Sequence, residues 1–198
     1  MVLHLTFNKI RIKSKSLPIH WSYIEEKSTV ALLSDEFIII YMGWIINNKN
    51  KIVADDLGMT PGTNLAIKEL ADIGQLTHVS IFSTGDYFKD GINMLSENNI
   101  KKGLHFNLTY GKSANGPHEL TDKHGIFKYG FIGILLKSFK PSVRKIIEKE
   151  LNAQLNILKS KINYISHIDG HRHVHMIPTI SNLVKRVSKE FNIKEIRV

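Results

Sequence analysis

From residue 51 onward, short apolar or alternating runs are followed by longer stretches in which apolar residues recur every three or four positions. Strand-like and helix-like periods taking turns in this way are the pattern that builds parallel sheets and barrels. Strands are predicted at 51–54, 78–82, 104–109, 164–168 and 193–198. Thr60 and Pro61 supply a hydroxyl N-cap and a first-turn proline, so a helix starts there and ends near Gly74. A second helix is expected around 91–98. The strongest begins at Pro141, where Val143, Ile147, Leu151, Leu155, Leu158 and Ile162 form one stripe. Ile180, Leu183, Val184, Val187 and Phe191 mark another. Residues 111–130, rich in Gly, His, Lys and Asn, have little periodicity and read as a long loop over a site. Residues 1–50 lack the alternation and are set apart as an N-terminal extension, leaving 51–198 as the α/β unit.

The apolar run at 37–46 is about half the ~20 residues a membrane-spanning helix needs, so it is read as a buried or partner-facing strand. Composition narrows the chemistry further. With no cysteine, disulfides, thiol nucleophiles and thiolate metal sites are excluded, and any metal must be held by His, Asp or Glu. The formal charge of +9 invites a nucleic-acid partner. The lysines, however, are spread over predicted helix faces without alternating aromatic platforms, which argues against that partner. No GxSxG elbow, phosphate-binding loop or dinucleotide fingerprint occurs, so covalent catalysis has no support.

Three segments concentrate the polar chemistry, each at the C-terminal end of a predicted strand, where parallel α/β folds place their sites. Asp55 and Asp56, followed by Leu57 and Gly58, aim two carboxylates at one point. A cation between them would offset their repulsion; alone, the pair reads better as a turn with two solvated carboxylates. His105 shares a strand face with Asn107 and Thr109. The segment 167–175 carries four histidines, His167, His171, His173 and His175. In an extended chain His171, His173 and His175 project to the same side and two or three imidazoles converge on one ion, with Asp169 placed to orient an imidazole.

Taken in order, Val53-Ala54-Asp55-Asp56-Leu57-Gly58-Met59-Thr60-Pro61, Gly103-Leu104-His105-Phe106-Asn107-Leu108-Thr109 and His167-Ile168-Asp169-Gly170-His171-Arg172-His173-Val174-His175 resemble the YdjC-like carbohydrate deacetylase family. The resemblance spans residues 51–198. It implies a (β/α) barrel of the glycoside hydrolase/deacetylase type and one divalent metal ion, Mg²⁺ or Zn²⁺, held by Asp56, His105 and His171, with Asp55 as the general base. It also implies a hydrolase that removes acetyl groups from N-acetylglucosamine-containing oligosaccharides of the chitooligosaccharide type. The expected partner is that N-acetylated oligosaccharide, with neither nucleic acid nor membrane. The expected location is the cytoplasm, and a homo-oligomer is compatible with the sequence. Measured against the family, the chain is expected to be C-terminally truncated and the barrel incomplete. The alternatives are a catalytically incomplete metal- or sugar-binding remnant of the family and another metal-assisted hydrolase.

Overall fold

In the computed structural model, residues 51–197 are described throughout, together with the backbone of four two-residue strands before them. Those four form two antiparallel pairs, Leu5–Thr6 with Lys9–Ile10 and Leu32–Leu33 with Ile38–Ile39. The last pair covers part of the 37–46 run; the rest of that run and its burial lie outside the described residues.

The α/β unit contains five parallel strands: β1 (Val53–Leu57), β2 (His78–Ile81), β3 (Lys101–Phe106), β4 (His167–Gly170) and β5 (Glu195–Ile196). They lie side by side in sequence order, each hydrogen-bonded to the next, as successive β/α units of a barrel do. If the sheet were flat, its edge strands would stand about 19 Å apart, four spacings of about 4.8 Å. Ion pairs nevertheless join the two edges, Lys51 to Glu195 and Arg197 to Asp55, so the sheet is strongly curled.

Helices α1 (Pro61–Asp72), α2 (Phe88–Met94), α3 (Phe131–Lys137), α4 (Pro141–Lys159) and α5 (Pro178–Glu190) complete the unit. Thr60 caps α1 by accepting a bond from the Thr63 amide at 3.1 Å, and Gly74, at φ +71°, ends it as expected. On α4 the stripe of Val143, Ile147, Leu151, Leu155 and Leu158 is fully buried against the sheet, beside Ile168, Leu104 and Phe106. No helix among the described residues is long and apolar enough to cross a membrane.

Several boundaries differ from the sequence expectation for local reasons. Strand β3 ends at Phe106 rather than 109, because the Asn107 side chain accepts from the Thr109 and Tyr110 amides, each at 3.0 Å, and turns the chain. Helix α2 starts earlier than 91, with Gly91 inside it: a Cβ there would stand 2.9 Å from Asn64 Oδ1, so the glycine permits close packing rather than marking a start. The sequence reading missed α3, whose apolar residues follow no helical stripe; Ile132 and Leu136 on it are exposed.

Candidate metal centre

Strand β1 departs from regular pleating where the chemistry begins. Its register with β2 shifts between Ala54 and Leu57, and Asp56 adopts φ +67°, the left-handed region that Asp tolerates better than most residues. Consecutive side chains of a regular strand face opposite ways. Here both carboxylates reach the same imidazole: Asp56, His105 and His171 form one group of potential metal donors, and Asp55, His105 and Asp169 form a second, with donor atoms within 4.8 Å in each group.

In the first group, Asp56 Oδ1 lies 3.2 Å from His105 Nε2 and 3.0 Å from His171 Nδ1. Metal–donor bonds of about 2.0–2.2 Å put neighbouring donors of one coordination shell about 3 to 3.5 Å apart, so these separations fit a single ion. One carboxylate with two imidazoles also suits a divalent cation chemically. His105 is buried, and its Nδ1 lies 2.6 Å from Asp169 Oδ1. With the Nδ1 proton donated to Asp169, Nε2 is the nitrogen that faces Asp56, and it is the one whose lone pair a metal would take.

Beneath this centre a buried polar row continues. Ser80 Oγ donates to Asp169 Oδ2 at 2.6 Å, and its oxygen then accepts from His167 Nε2 at 2.9 Å. Room for the His167 ring comes from Gly103, where a Cβ would fall 2.3 Å from Cε1 of that ring. Burial pushes His167 down to about 4, so it is neutral at physiological pH.

The carboxylates are tuned apart. Burial opposes ionisation of Asp56, but hydrogen bonds from His105 and His171 outweigh it and hold the group well below the usual carboxylate range. Burial likewise opposes the Asp169 anion, and the charge and hydrogen bond of His105 overcome it. For Asp55 burial prevails: its pKa is raised, with Asp169 pushing the same way against His105 and Arg197. In the metal-free protein the His105 cation is penalised by burial, but Asp169, Asp56 and Asp55 together outweigh it and raise the pKa well above the ordinary value.

The histidine segment after β4 is not extended. Residues His171–Met176 form a 3₁₀ turn, with Arg172 and His173 in left-handed backbone at φ +53° and +57°. The three imidazoles therefore do not share a side. His171 faces Asp56, His173 is exposed, and the buried His175 donates from Nε2 to the Arg197 carbonyl at 2.7 Å. Aromatic rings wall the site: Phe82 stacks edge-on to His171 at 5.3 Å, and the half-exposed Tyr110 lies 6.2 Å from it. Arg197, which sequence reasoning did not single out, reaches Asp55 and Asp169 from the end of β5. A single arginine next to a terminal strand carries no motif by which it could have been found.

Over residues 51–198 the chain matches the model of the YdjC-like protein family. It is 32% identical over 143 residues to a carbohydrate deacetylase of Brevibacillus brevis, covering 71% of this chain and 55% of the relative. A human carbohydrate deacetylase is 28% identical over 156 residues, covering 74% and 47% respectively. The chain thus spans about half the length of these relatives. Among solved structures, a candidate cellobiose-phosphate cleavage protein of Enterococcus faecalis V583 superposes with a TM-score of 0.62 at 22% identity, over 72% of this chain and 56% of that one, and shares the fold. On the family match, which covers the entire α/β unit, the chain belongs to the YdjC-like family.

Proposed function

We propose that residues 51–198 form a carbohydrate deacetylase domain, with residues 1–50 as an extension, acting on N-acetylglucosamine-containing oligosaccharides of the chitooligosaccharide type. The observation that carries this reading is the convergence of Asp56, His105 and His171, three residues from three strand ends, beside a second carboxylate, Asp55, that is not part of that group. The relatives named carbohydrate deacetylases supply the acetylated sugar as substrate class. A cytoplasmic setting is part of the same reading, and the absence of cysteine is compatible with it.

Asp56, His105 and His171 would hold one divalent ion, Mg²⁺ or Zn²⁺. When bound, that ion supplies Lewis acidity for the acetyl carbonyl and acidifies water at the site. Asp55, with its raised pKa, accepts the proton of the attacking water as general base. Asp169 keeps His105 in one tautomer and orientation throughout. Phe82 and Tyr110 pack against His171 and limit the water that reaches it.

The test is acetate release from diacetylchitobiose and its 6-phosphate, with and without added Mg²⁺ or Zn²⁺. Metal-dependent release that disappears in Asp56→Ala and His171→Ala is the expected result. Release that persists in both variants would sink the proposal.

A further inference from the structure

Asp55, the proposed base, is not held by its own strand alone. Arg197 Nη2 lies 2.8 and 2.7 Å from the two Asp55 oxygens and 2.9 Å from Asp169 Oδ2. Its backbone is pinned on both sides: the amide donates to the Ile168 carbonyl of β4 at 3.0 Å, and the carbonyl accepts from buried His175 at 2.7 Å. The packing around His175 is tight, because a Cβ on Gly170 would come within 2.7 Å of His175 Nδ1. The guanidinium therefore has a fixed origin, and what it reaches is fixed with it.

We propose that Arg197 is the positioning residue for Asp55, aiming its carboxylate beside the Asp56–His105–His171 centre; the proposal rests on the reading of Asp55 as base. Asp55 and Asp169 belong to one cluster with His105, and two carboxylates so close repel unless cations offset them. Arg197 is the cation whose side chain touches both directly. A guanidinium stays protonated at any working pH, so it can neither take nor give the reaction's proton. Its contribution is geometric: it ties the base on β1 to Asp169 on β4, which orients His105. A mere clip between sheet edges, the role open to Lys51 and Glu195, would need no contact with either buried carboxylate.

The experiment compares Arg197→Lys, Arg197→Met, Asp55→Asn and the Arg197→Met/Asp55→Asn double variant, in the metal-loaded protein. It reads kcat, KM, metal affinity and the unfolding midpoint. Arg197→Met is expected to lower kcat by about 10²-fold or more, in the range of a lost general base, with KM and metal affinity changed no more than about threefold. Arg197→Lys falls between Met and wild type, since it keeps the charge but not the reach and fixed orientation of Nη2. In the Asp55→Asn background the Arg197→Met loss vanishes, and the unfolding midpoints of the two single variants fail to add. The proposal is overturned if Arg197→Met costs the same factor with Asp55 absent, if metal affinity falls in step with kcat, or if only the midpoint changes. Wild-type kcat in Asp55→Asn, or no turnover by the metal-loaded wild type, overturns the reading of Asp55 as base and the proposal with it.

Discussion

Asp169 Oδ1 lies 2.6 Å from His105 Nδ1, and both side chains are buried at the point where β3 and β4 run side by side. The contact decides which nitrogen of His105 is available to a metal. Replacing Asp169 by Asn removes the charge, allows the amide to present its NH₂ instead, and so frees the imidazole to take the wrong tautomer. Metal affinity is expected to fall by about 10- to 100-fold, as is common for such outer partners. Competition against a chelating dye measures it; an unchanged affinity would show that Asp169 does not set the tautomer.

Gly103 is a steric requirement of the same network. Its Cβ position lies 2.3–2.5 Å from three atoms of the His167 ring, and the ring is tied to Ser80 and Ser166. Gly103→Ala should destabilise the fold by about 1–3 kcal/mol, the usual cost of overpacking. Combining it with His167→Ala should recover part of that loss in thermal unfolding, which a general strand defect at Gly103 would not allow.

Glu150 on α4 is fully buried, with His118 Nε2 3.9 Å from its Oε2. It accepts from Ser113 Oγ at 2.7 Å, the Ala114 amide at 2.8 Å, Asn115 Nδ2 at 2.8 Å and Gln154 Nε2 at 2.8 Å. It thereby fastens the 111–130 loop to the scaffold. Glu150→Leu strands several donors and should cost about 1–3 kcal/mol, with faster hydrogen exchange at Ala114 and readier proteolysis within the loop. Unchanged exchange there would mean that the two short bridges, Lys112 with Ile126 and Thr121 with Phe127, hold the loop without it.

Acid stability has a defined contribution from His167. Its folded pKa is about 4, below the unfolded value near 6.5, so between those values the unfolded chain binds the extra proton. Stability is thus lost as pH falls from about 6.5 to about 4, by roughly 3 kcal/mol from this group. His175 and His78, also lowered by burial, act in the same direction. Metal-free wild type and His167→Gln, compared by urea unfolding across that window, should differ in slope; parallel curves would contradict the account.

The sequence was most legible where function and periodicity coincide. The α4 stripe could be read residue by residue from Val143 to Leu158, with Ile162 falling past the helix end, and the three motifs at strand ends pointed to Asp56, His105 and His171, which the fold brings together. What escaped depends on backbone detail and on distance along the chain. A regular strand would send Asp55 and Asp56 to opposite faces; only the irregularity at Asp56 turns both toward His105. An extended 171–175 segment would align its imidazoles, but the left-handed pair Arg172 and His173 separates them. Arg197 lies 142 positions from Asp55, and only the curl of the sheet brings them together. Helix α3 escaped because its short apolar run has no period to read.

The most direct measurement is calorimetric titration of Zn²⁺ into metal-free protein, wild type beside Asp56→Ala, His105→Ala, His171→Ala and His173→Ala. One ion per chain is predicted, with binding abolished or greatly weakened by the first three substitutions and untouched by His173→Ala, whose side chain the 3₁₀ turn directs away from Asp56. Stoichiometric binding that survives loss of Asp56 and His171, or that depends on His173, would contradict the centre described here.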